Sequence, residues 1–288
     1  MKVEIMPYER RAHLLRILAD HGPLSIKGVS AFVNPPMTRR RIRDALKRTY
    51  KAGLISKRND RIFGGAAIYY QVSREPKARE EVASILKVHP DTIRTQCPRH
   101  QELLHWESCA ILTELLRRLF PDAEVLRDFQ LGSHPRALNL LLARKYELDL
   151  RPDMFILFPA SQGFAQTSVA VEYERTQKSD KRLREKLTTY ASETRVDGMV
   201  YICESDTISQ RLMMLYRSKV LERSPRIRHY GANFFMLTSV GLRGTDGKFL
   251  VVNAEGKYVD LVRWIQLLRT TPSASRRDLG LQLSASGG

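Results

Sequence analysis

The sequence is poor in cysteine, in acidic residues and in long apolar runs. Its three cysteines cannot all pair with one another, which excludes the disulfide framework of a small secreted domain. No apolar run approaches the roughly 20 residues that a membrane-spanning helix needs. The opening residues, MKVEIMPYERRAHLL, lack the apolar core and the small-residue cleavage site of a signal peptide. We therefore expect a cytoplasmic protein that has no membrane partner.

The shortage of acidic residues leaves a large positive charge. The chain has 31 aspartates and glutamates against 48 lysines and arginines, and its formal net charge is +17. A basic surface of this size attracts polyanions, of which nucleic acid is the commonest. With 288 residues and 43% hydrophobic residues, the chain is long enough and apolar enough for two modest domains or one large one, with a real core.

The first seventy or so residues show a series of short elements. Apolar spacing predicts a helix over residues 7–20, and Ser25 and Thr38 are placed to cap a second and a third helix. Gly53 ends the third helix, and two short strands flank Arg58–Gly65 as a β-hairpin. The order of helix, helix, basic helix and hairpin, with the phrase YKAGLISKR…YYQV, resembles a winged helix-turn-helix domain.

That resemblance implies DNA binding, with the third helix in the major groove and the hairpin on the adjacent backbone. The residues that we expect to contact DNA from the helix are Arg39, Arg40, Arg41, Arg43 and Lys47. From the hairpin they are Arg58 and Arg61. A basic helix is also compatible with a solvated face, and winged helices also serve as protein-interaction modules.

Residues 73–100 are polar and contain three prolines, which predicts a linker with one short helix near Lys77–Leu86. A metal-like spacing, C-x2-H-x4-H-x3-C, begins in this segment. It loosely resembles a zinc site, but the last two members lie four residues apart in a predicted helix, where simple packing explains them equally well. Its members are Cys97, His100, His105 and Cys109.

Three carboxylates follow at the ends of two apolar strands, in YELDLRPDMFILFP and SVAVEYE. Glu172 and Glu174 are two residues apart and so project from the same face of a strand. Asp153 lies near them if the two strands pair as neighbours. Clustered carboxylates repel one another unless a cation offsets them, and oxygen ligands suit Mg²⁺ or Mn²⁺. The competing interpretation is a set of surface carboxylates paired with arginines.

A basic helix, RTQKSDKRLREKLTTYAS, comes directly after the second of these strands. Lys186 and Tyr190 lie four residues apart on one face of it. Three further cations, Lys178, Lys181 and Arg182, are candidates for guiding a nucleic-acid backbone.

From residue 101 the predicted order is helix, strand, strand with Pro-Asp, strand with Glu-x-Glu, helix, strand, helix and strand. This mixed α/β sheet with flanking helices resembles the PD-(D/E)xK nuclease core, which is a restriction-endonuclease-like fold. Pro152-Asp153 matches the Pro-Asp motif, Glu172 matches the acidic position, and Glu107 matches the glutamate of the preceding helix. Glu174 stands where the family has lysine. The segment KLTTY, from Lys186 to Tyr190, resembles the Q-x3-Y signature of recombination-type members.

A winged helix joined to RPD…VEYERTQKSDKRLREKLTTY is similar in particular to the MOBC-type relaxases of mobilisable plasmids and the wider replication-relaxation family. The resemblance implies a protein that binds a plasmid transfer origin and nicks one strand with a divalent metal, together with relaxosome or coupling proteins. Other relaxases use a His-hydrophobic-His metal triad, and none of the seven histidines here is spaced in that way.

The resemblance also implies a role for each site residue. Asp153 and Glu172 would bind Mg²⁺ or Mn²⁺, Glu174 would be a third ligand or orient the water, and Glu107 would complete the metal shell. Lys186 would neutralise phosphate charge, and Tyr190 would position the helix or the phosphate.

The predicted domains are a winged helix over 1–75, a linker over 76–100, a nuclease-like domain over 101–269 and a flexible tail over 270–288. Two other functions remain open. One is a non-catalytic DNA-binding replication or transcription protein with a degenerate nuclease fold, and the other is an endonuclease that makes double-strand breaks.

Overall fold

The protein has a mixed α/β architecture that divides into two compact units, Met1–Glu114 and Leu115–Gly288. A three-stranded sheet belongs to the first unit and a seven-stranded sheet to the second. The computed structural model describes residues 7–34, 36–60, 67–95, 98–99, 102–131, 133–137, 151–161, 163–176, 178–192, 196–221, 235–239, 249–253 and 256–270.

The first unit opens with three helices and a short strand. They are α1 (Pro7–His21), β1 (Leu24–Ser25), α2 (Ile26–Phe32) and α3 (Arg39–Lys51). A hairpin follows, formed by β2 (Ile55–Asp60) and β3 (Ala67–Val72), and the sheet order is β1-β3-β2 with antiparallel pairs. The unit continues with α4 (Pro76–Leu86), and α5 (Leu103–Leu119) follows it in the chain.

Side-chain caps fix where α2 and α3 begin. The hydroxyl of Ser25 accepts a hydrogen bond from the backbone N–H of Gly28, and the hydroxyl of Thr38 accepts one from that of Arg41. Along α3, Ile42 and Leu46 are fully buried one turn apart. This single apolar stripe is the reason that the arginines on the other faces of α3 point to solvent.

The short helix expected near Lys77–Leu86 is present as α4. Val82, Ala83 and Leu86 are buried in the same hydrophobic core as Leu14 and Leu18 of α1. The polar composition of residues 73–100 therefore conceals one apolar stripe that contributes to the first unit.

The seven strands of the second unit lie in the order β10-β9-β8-β7-β6-β5-β4. They are β4 (Glu124–Arg127), β5 (Met154–Phe158), β6 (Thr167–Glu174), β7 (Gly198–Cys203), β8 (Phe235–Ser239), β9 (Leu250–Asn253) and β10 (Tyr258–Asp260). The helices are α6 (Asp128–Leu131), α7 (Asp180–Ser192), α8 (Asp206–Leu215), which continues as a π-helix over Tyr216–Leu221, and α9 (Leu261–Thr270).

Strand direction changes at β6, which carries the Glu-x-Glu motif. The β4–β5 and β5–β6 pairs are antiparallel, whereas the β6–β7 and β7–β8 pairs are parallel. A parallel pair needs a crossover connection, and α7 lies between β6 and β7 in the chain. The helix with Lys186 and Tyr190 is therefore the crossover from the strand with Glu172 and Glu174.

Both faces of the central strands are buried, as expected for strands covered on both sides. Leu183 and Leu187 of α7 share one hydrophobic core with Phe155, Ala170 and Tyr201 of the sheet. A Cβ atom built on Gly198 would lie 2.7 Å from Cη2 of Trp264, so α9 packs directly on the backbone of β7 at this point.

Several predictions fall on residues outside the described part of the chain. Arg61, Cys97, His100 and the tail from residue 271 onward are among them, and the predicted domain boundaries stay predictions. Two cysteines are described, Cys109 and Cys203. Neither forms a disulfide, and both are at most 3% exposed. None of the helices in the described ranges combines the length and apolar character that a membrane crossing requires.

Candidate functional site

The exposed faces of α3 carry the cations that the sequence singles out. All five predicted DNA-contacting side chains on this helix are exposed, namely Arg39, Arg40, Arg41, Arg43 and Lys47. Because the helix buries one stripe, these cations lie on its remaining faces, where Asp44 is also exposed.

Of the two hairpin arginines predicted to contact DNA, Arg58 lies within the described residues. The guanidinium of Arg58 is half-buried and donates a hydrogen bond to the carbonyl of Pro98 at 3.1 Å. Lys57, which the sequence pattern did not single out, is exposed and holds its ammonium 4.8 Å from the centroid of the Tyr50 ring. The sequence did not indicate Lys57 because it lies on β2, whereas its partner Tyr50 lies on α3.

Asp153 lies close enough to Glu172 for its charge to act on that carboxyl. The β5–β6 pairing ends with Met154 opposite Val171, and continuing the antiparallel register by one residue brings Asp153 opposite Glu172 on the same face. The carboxylate of Asp153 also accepts a hydrogen bond from the backbone N–H of Tyr173 at 2.7 Å. The expectation that the two acidic strands are neighbours is confirmed.

Glu172 is held by both side chains that the sequence places on the next helix. Lys186 Nζ lies 2.6 Å from Glu172 Oε2, and the Tyr190 hydroxyl donates to Glu172 Oε1 at 2.6 Å. Glu172 is 2% exposed and Tyr190 is also 2% exposed. The two side chains lie one helical turn apart on the buried side of α7, which is why both reach the same carboxylate.

Glu174 forms a second ion pair at the end of the same strand. Lys178 Nζ lies 2.7 Å from Glu174 Oε2, and the side chain of Glu174 is only 3% exposed. Lys178 was predicted as a contact to the nucleic-acid backbone, whereas here it neutralises a carboxylate. The other two cations of that prediction, Lys181 and Arg182, are exposed on α7.

Both members of the buried ion pair, Glu172 and Lys186, have shifted pKa values. Burial raises the pKa of Glu172 to about 7, and the charge of Asp153 adds to the rise while Lys186 and Tyr190 oppose it. Burial alone would lower the pKa of Lys186, but the charges of Glu172, Asp153 and Glu174 outweigh it and raise that pKa. Lys186 therefore stays charged, and Glu172 is the group that changes charge near neutral pH.

Tyr190 and Tyr201 stay protonated under the same influences. Burial, followed by the charge of Glu172, raises the pKa of each phenol well above its ordinary value. Tyr201 lies on β7, pairs with Glu172 of β6 and is fully buried. Its place beside the site could have been found only from the parallel register, which the sequence does not display.

Glu107 belongs to the first unit, where it serves the start of α2. Its Oε1 accepts hydrogen bonds from the hydroxyl of Ser25 at 2.6 Å and from the backbone N–H of Ser25 at 3.2 Å. It is 5% exposed, and burial raises its pKa while the hydrogen bonds from Ser25 oppose that rise. A Cβ atom on Gly28 would overlap its carboxylate, so the glycine leaves the space that Glu107 occupies.

Half of the possible zinc set lies within the described residues. The thiol of Cys109 lies 3.5 Å from His105 Nε2, and the two residues are one turn apart on α5. Cys97 and His100 lie outside the described part of the chain, so the four-residue site stays a prediction.

Comparison with known proteins gives no counterpart. The chain matches no protein-family model, no curated protein and no solved structure. What the site does is therefore inferred from its own side chains.

The donor set of the second unit suits a hard divalent cation in its chemistry. Asp153, Glu172 and Glu174 offer carboxylate oxygens, which Mg²⁺ and Mn²⁺ prefer. Among the described residues, however, these three do not form a set with oxygens all within 4.8 Å of one another, and lysines already bind two of them. A metal ion at this site would therefore compete with Lys186 and Lys178 for these carboxylates.

Proposed function

We propose that the protein is a metal-dependent DNA-nicking endonuclease of plasmid mobilisation, acting as a relaxase on a transfer origin. The observation that carries the proposal is the contact of Glu172 with both Lys186 and Tyr190, on the face that Asp153 shares. An acidic pair on neighbouring strands, joined to a lysine from the next helix, offers metal ligands and a phosphate-neutralising cation in one place.

The first unit supports the DNA-binding half of the proposal. Its order of helix, strand, helix, helix, strand and strand, with sheet order β1-β3-β2, is consistent with the winged helix that the sequence resembles. In such a domain the third helix enters the major groove, and here that helix is α3 with its exposed arginines.

The second unit supports the nuclease half. Three antiparallel strands, β4 to β6, lead through the crossover helix α7 into the parallel strand β7, which is the arrangement expected of a PD-(D/E)xK core. Lys186 reaches Glu172 from the helix, so it supplies the positive charge that the strand lacks at Glu174.

In the proposed reaction, Asp153 and Glu172 would hold Mg²⁺ or Mn²⁺, and Glu174 would be a third ligand or would orient the attacking water. The bound metal would lower the pKa of that water and neutralise charge on the scissile phosphate. Lys186, released from Glu172, stabilises negative charge developing on the phosphate oxygens, and Tyr190 positions α7. Glu107 is left out of the proposed set because Ser25 occupies its carboxylate.

The partners that follow are the DNA of a plasmid transfer origin and relaxosome or coupling proteins, in the cytoplasm. Lys181 and Arg182 are exposed on α7 and would guide the DNA backbone toward the carboxylates.

The test uses supercoiled plasmid that carries the cognate transfer origin, purified protein and Mg²⁺ or Mn²⁺, with EDTA as the metal control. We expect open circles that disappear with EDTA and with Asp153→Asn, which keeps the size of the side chain. Asp206→Ala, which removes an exposed carboxylate on α8, should nick normally. Linear product would indicate an endonuclease that makes double-strand breaks, and origin binding without nicking in either metal would contradict the proposal.

A non-catalytic DNA-binding protein is the second candidate, and one observation favours it. Lys186 and Lys178 already neutralise Glu172 and Glu174, so the carboxylates need no metal to remain buried. This candidate predicts that Mn²⁺ leaves the melting temperature unchanged. The nuclease predicts a rise in melting temperature with Mn²⁺ that Asp153→Asn abolishes.

A further inference from the structure

The face of the hairpin that meets α3 combines apolar and cationic side chains. Lys57 pairs with Tyr70 and Asn59 pairs with Ile68, so these four side chains share one face of the hairpin. The ammonium of Lys57 lies over the ring of Tyr50, which projects from the last turns of α3. We call Tyr50, Lys57 and Ile68 the Tyr50–Lys57 surface.

Two exposed large apolar side chains belong to this surface. Tyr50 and Ile68 are each 39% exposed, and the large apolar side chains exposed in the described residues of that unit are these two and Leu104. Cations line the same surface. Lys57 is exposed, and the Arg43 guanidinium lies close enough to Tyr70 to oppose the rise in pKa that burial causes in its phenol.

Apolar and cationic groups together fit an unpaired nucleotide better than a base-paired one. Cations alone can bind the backbone of duplex DNA, because an aromatic ring adds no favourable contact with its phosphates. The faces of paired bases are covered by their neighbours in the stack, whereas an unpaired base can lie against an aromatic ring or an aliphatic side chain. Such stacking contributes about 1–3 kcal/mol per base.

We propose that the Tyr50–Lys57 surface binds a single-stranded DNA segment next to the duplex that α3 contacts. Tyr50 and Ile68 contact the face of an unpaired base, and Lys57 contacts its phosphate. The proposal rests on the DNA-binding part of the proposed function and deepens it, since it makes the preferred ligand a junction of double-stranded and single-stranded DNA.

The experiment measures fluorescence anisotropy of the full chain with a short blunt duplex and with the same duplex bearing an unpaired DNA tail. Wild-type protein should bind the tailed duplex about tenfold more tightly, which corresponds to one stacked base. Tyr50→Ala should remove that preference and leave blunt-duplex affinity unchanged, whereas Tyr50→Phe, which keeps the ring, should retain it.

Charge is tested separately with a matched pair of lysines. Lys57→Ala should weaken tailed-duplex binding and lower the salt dependence of that binding by about 0.7 in log–log slope. Lys51→Ala removes an exposed charge from the end of α3 and should affect both ligands equally. Circular dichroism of each variant checks that the first unit is folded.

Equal affinity of wild-type protein for both ligands would overturn the proposal, as would an equal loss for both in Tyr50→Ala. Failure of the proposed function looks different. In that case Arg40→Ala with Arg41→Ala leaves blunt-duplex binding unchanged, whatever the effect of the tail.

Discussion

Replacing Lys186 with methionine should destabilise the second unit by an amount that grows with pH. In the wild-type chain the pKa of Glu172, raised by burial to about 7, lies above its ordinary value of 4.5. The folded state therefore holds this proton more tightly, and the unfolding free energy falls as pH rises from 4.5 to about 7. Above that pH both states have lost the proton, and the contribution stays constant.

Without Lys186, the fully buried Glu172 has no cation to stabilise its charge and keeps its proton above pH 7. Each further pH unit then costs the variant about 1.4 kcal/mol relative to wild type. The expected extra loss is about 1 kcal/mol at pH 8 and about 3 kcal/mol at pH 9. Below pH 7 the difference is reduced to the lost packing and hydrogen bond of Lys186.

Urea unfolding in EDTA, from pH 6 to pH 9, measures this difference. The chain has two tryptophans, so a Trp106→Phe background leaves Trp264 as the reporter of the second unit. Lys181→Met is the matched control, because it removes an exposed lysine from the same helix. A loss of equal size at pH 6 and pH 9 would refute the electrostatic reasoning, and no loss at any pH would show that the ion pair does not form.

Two glycines give further predictions about stability. Gly28→Ala should destabilise the first unit by about 2 kcal/mol, because the new Cβ displaces Glu107 from its charged hydrogen bonds with Ser25. In a Glu107→Ala background the same substitution should instead be stabilising, since alanine favours helix over glycine by about 1 kcal/mol. Trp106 fluorescence during urea unfolding reports both, and a penalty that persists without Glu107 would contradict this account. Gly198→Ala should cost about 1–3 kcal/mol by overpacking Trp264, and thermal unfolding of this variant alone and with Trp264→Leu tests that cause.

Local signals made the principal elements of both units predictable. Thr38 and Gly53 bracket α3 in the sequence as they do in the structure, and alternation along SVAVEYE places Glu172 and Glu174 on one face of β6. The spacing of Lys186 and Tyr190 was enough to place both on one side of α7. Each of these inferences concerns a single helix or strand, where backbone geometry alone sets which side chains are neighbours.

Contacts between distant segments could not be predicted. Glu107 binds Ser25, which lies 82 positions away in the sequence, and the sequence near either residue does not indicate this contact. The sequence is compatible with a Lys178 side chain that points to solvent or to Glu174. The structure shows the ion pair with Glu174. The sequence indicates which residues share one face of a single helix or strand. Contacts between residues of different elements depend on how those elements pack.

The two described cysteines can report how often their surroundings open, because both are buried. Cys109 is buried on α5 and Cys203 lies in the hydrophobic core of the second unit, where burial raises the pKa of its thiol. A thiol in such a place reacts with an alkylating reagent only when its surroundings open. With Cys97 replaced by serine, mass spectrometry of alkylated peptides would follow the exposure of each thiol separately in one sample. That measurement would show whether DNA or metal slows the opening around one cysteine and leaves the other unchanged.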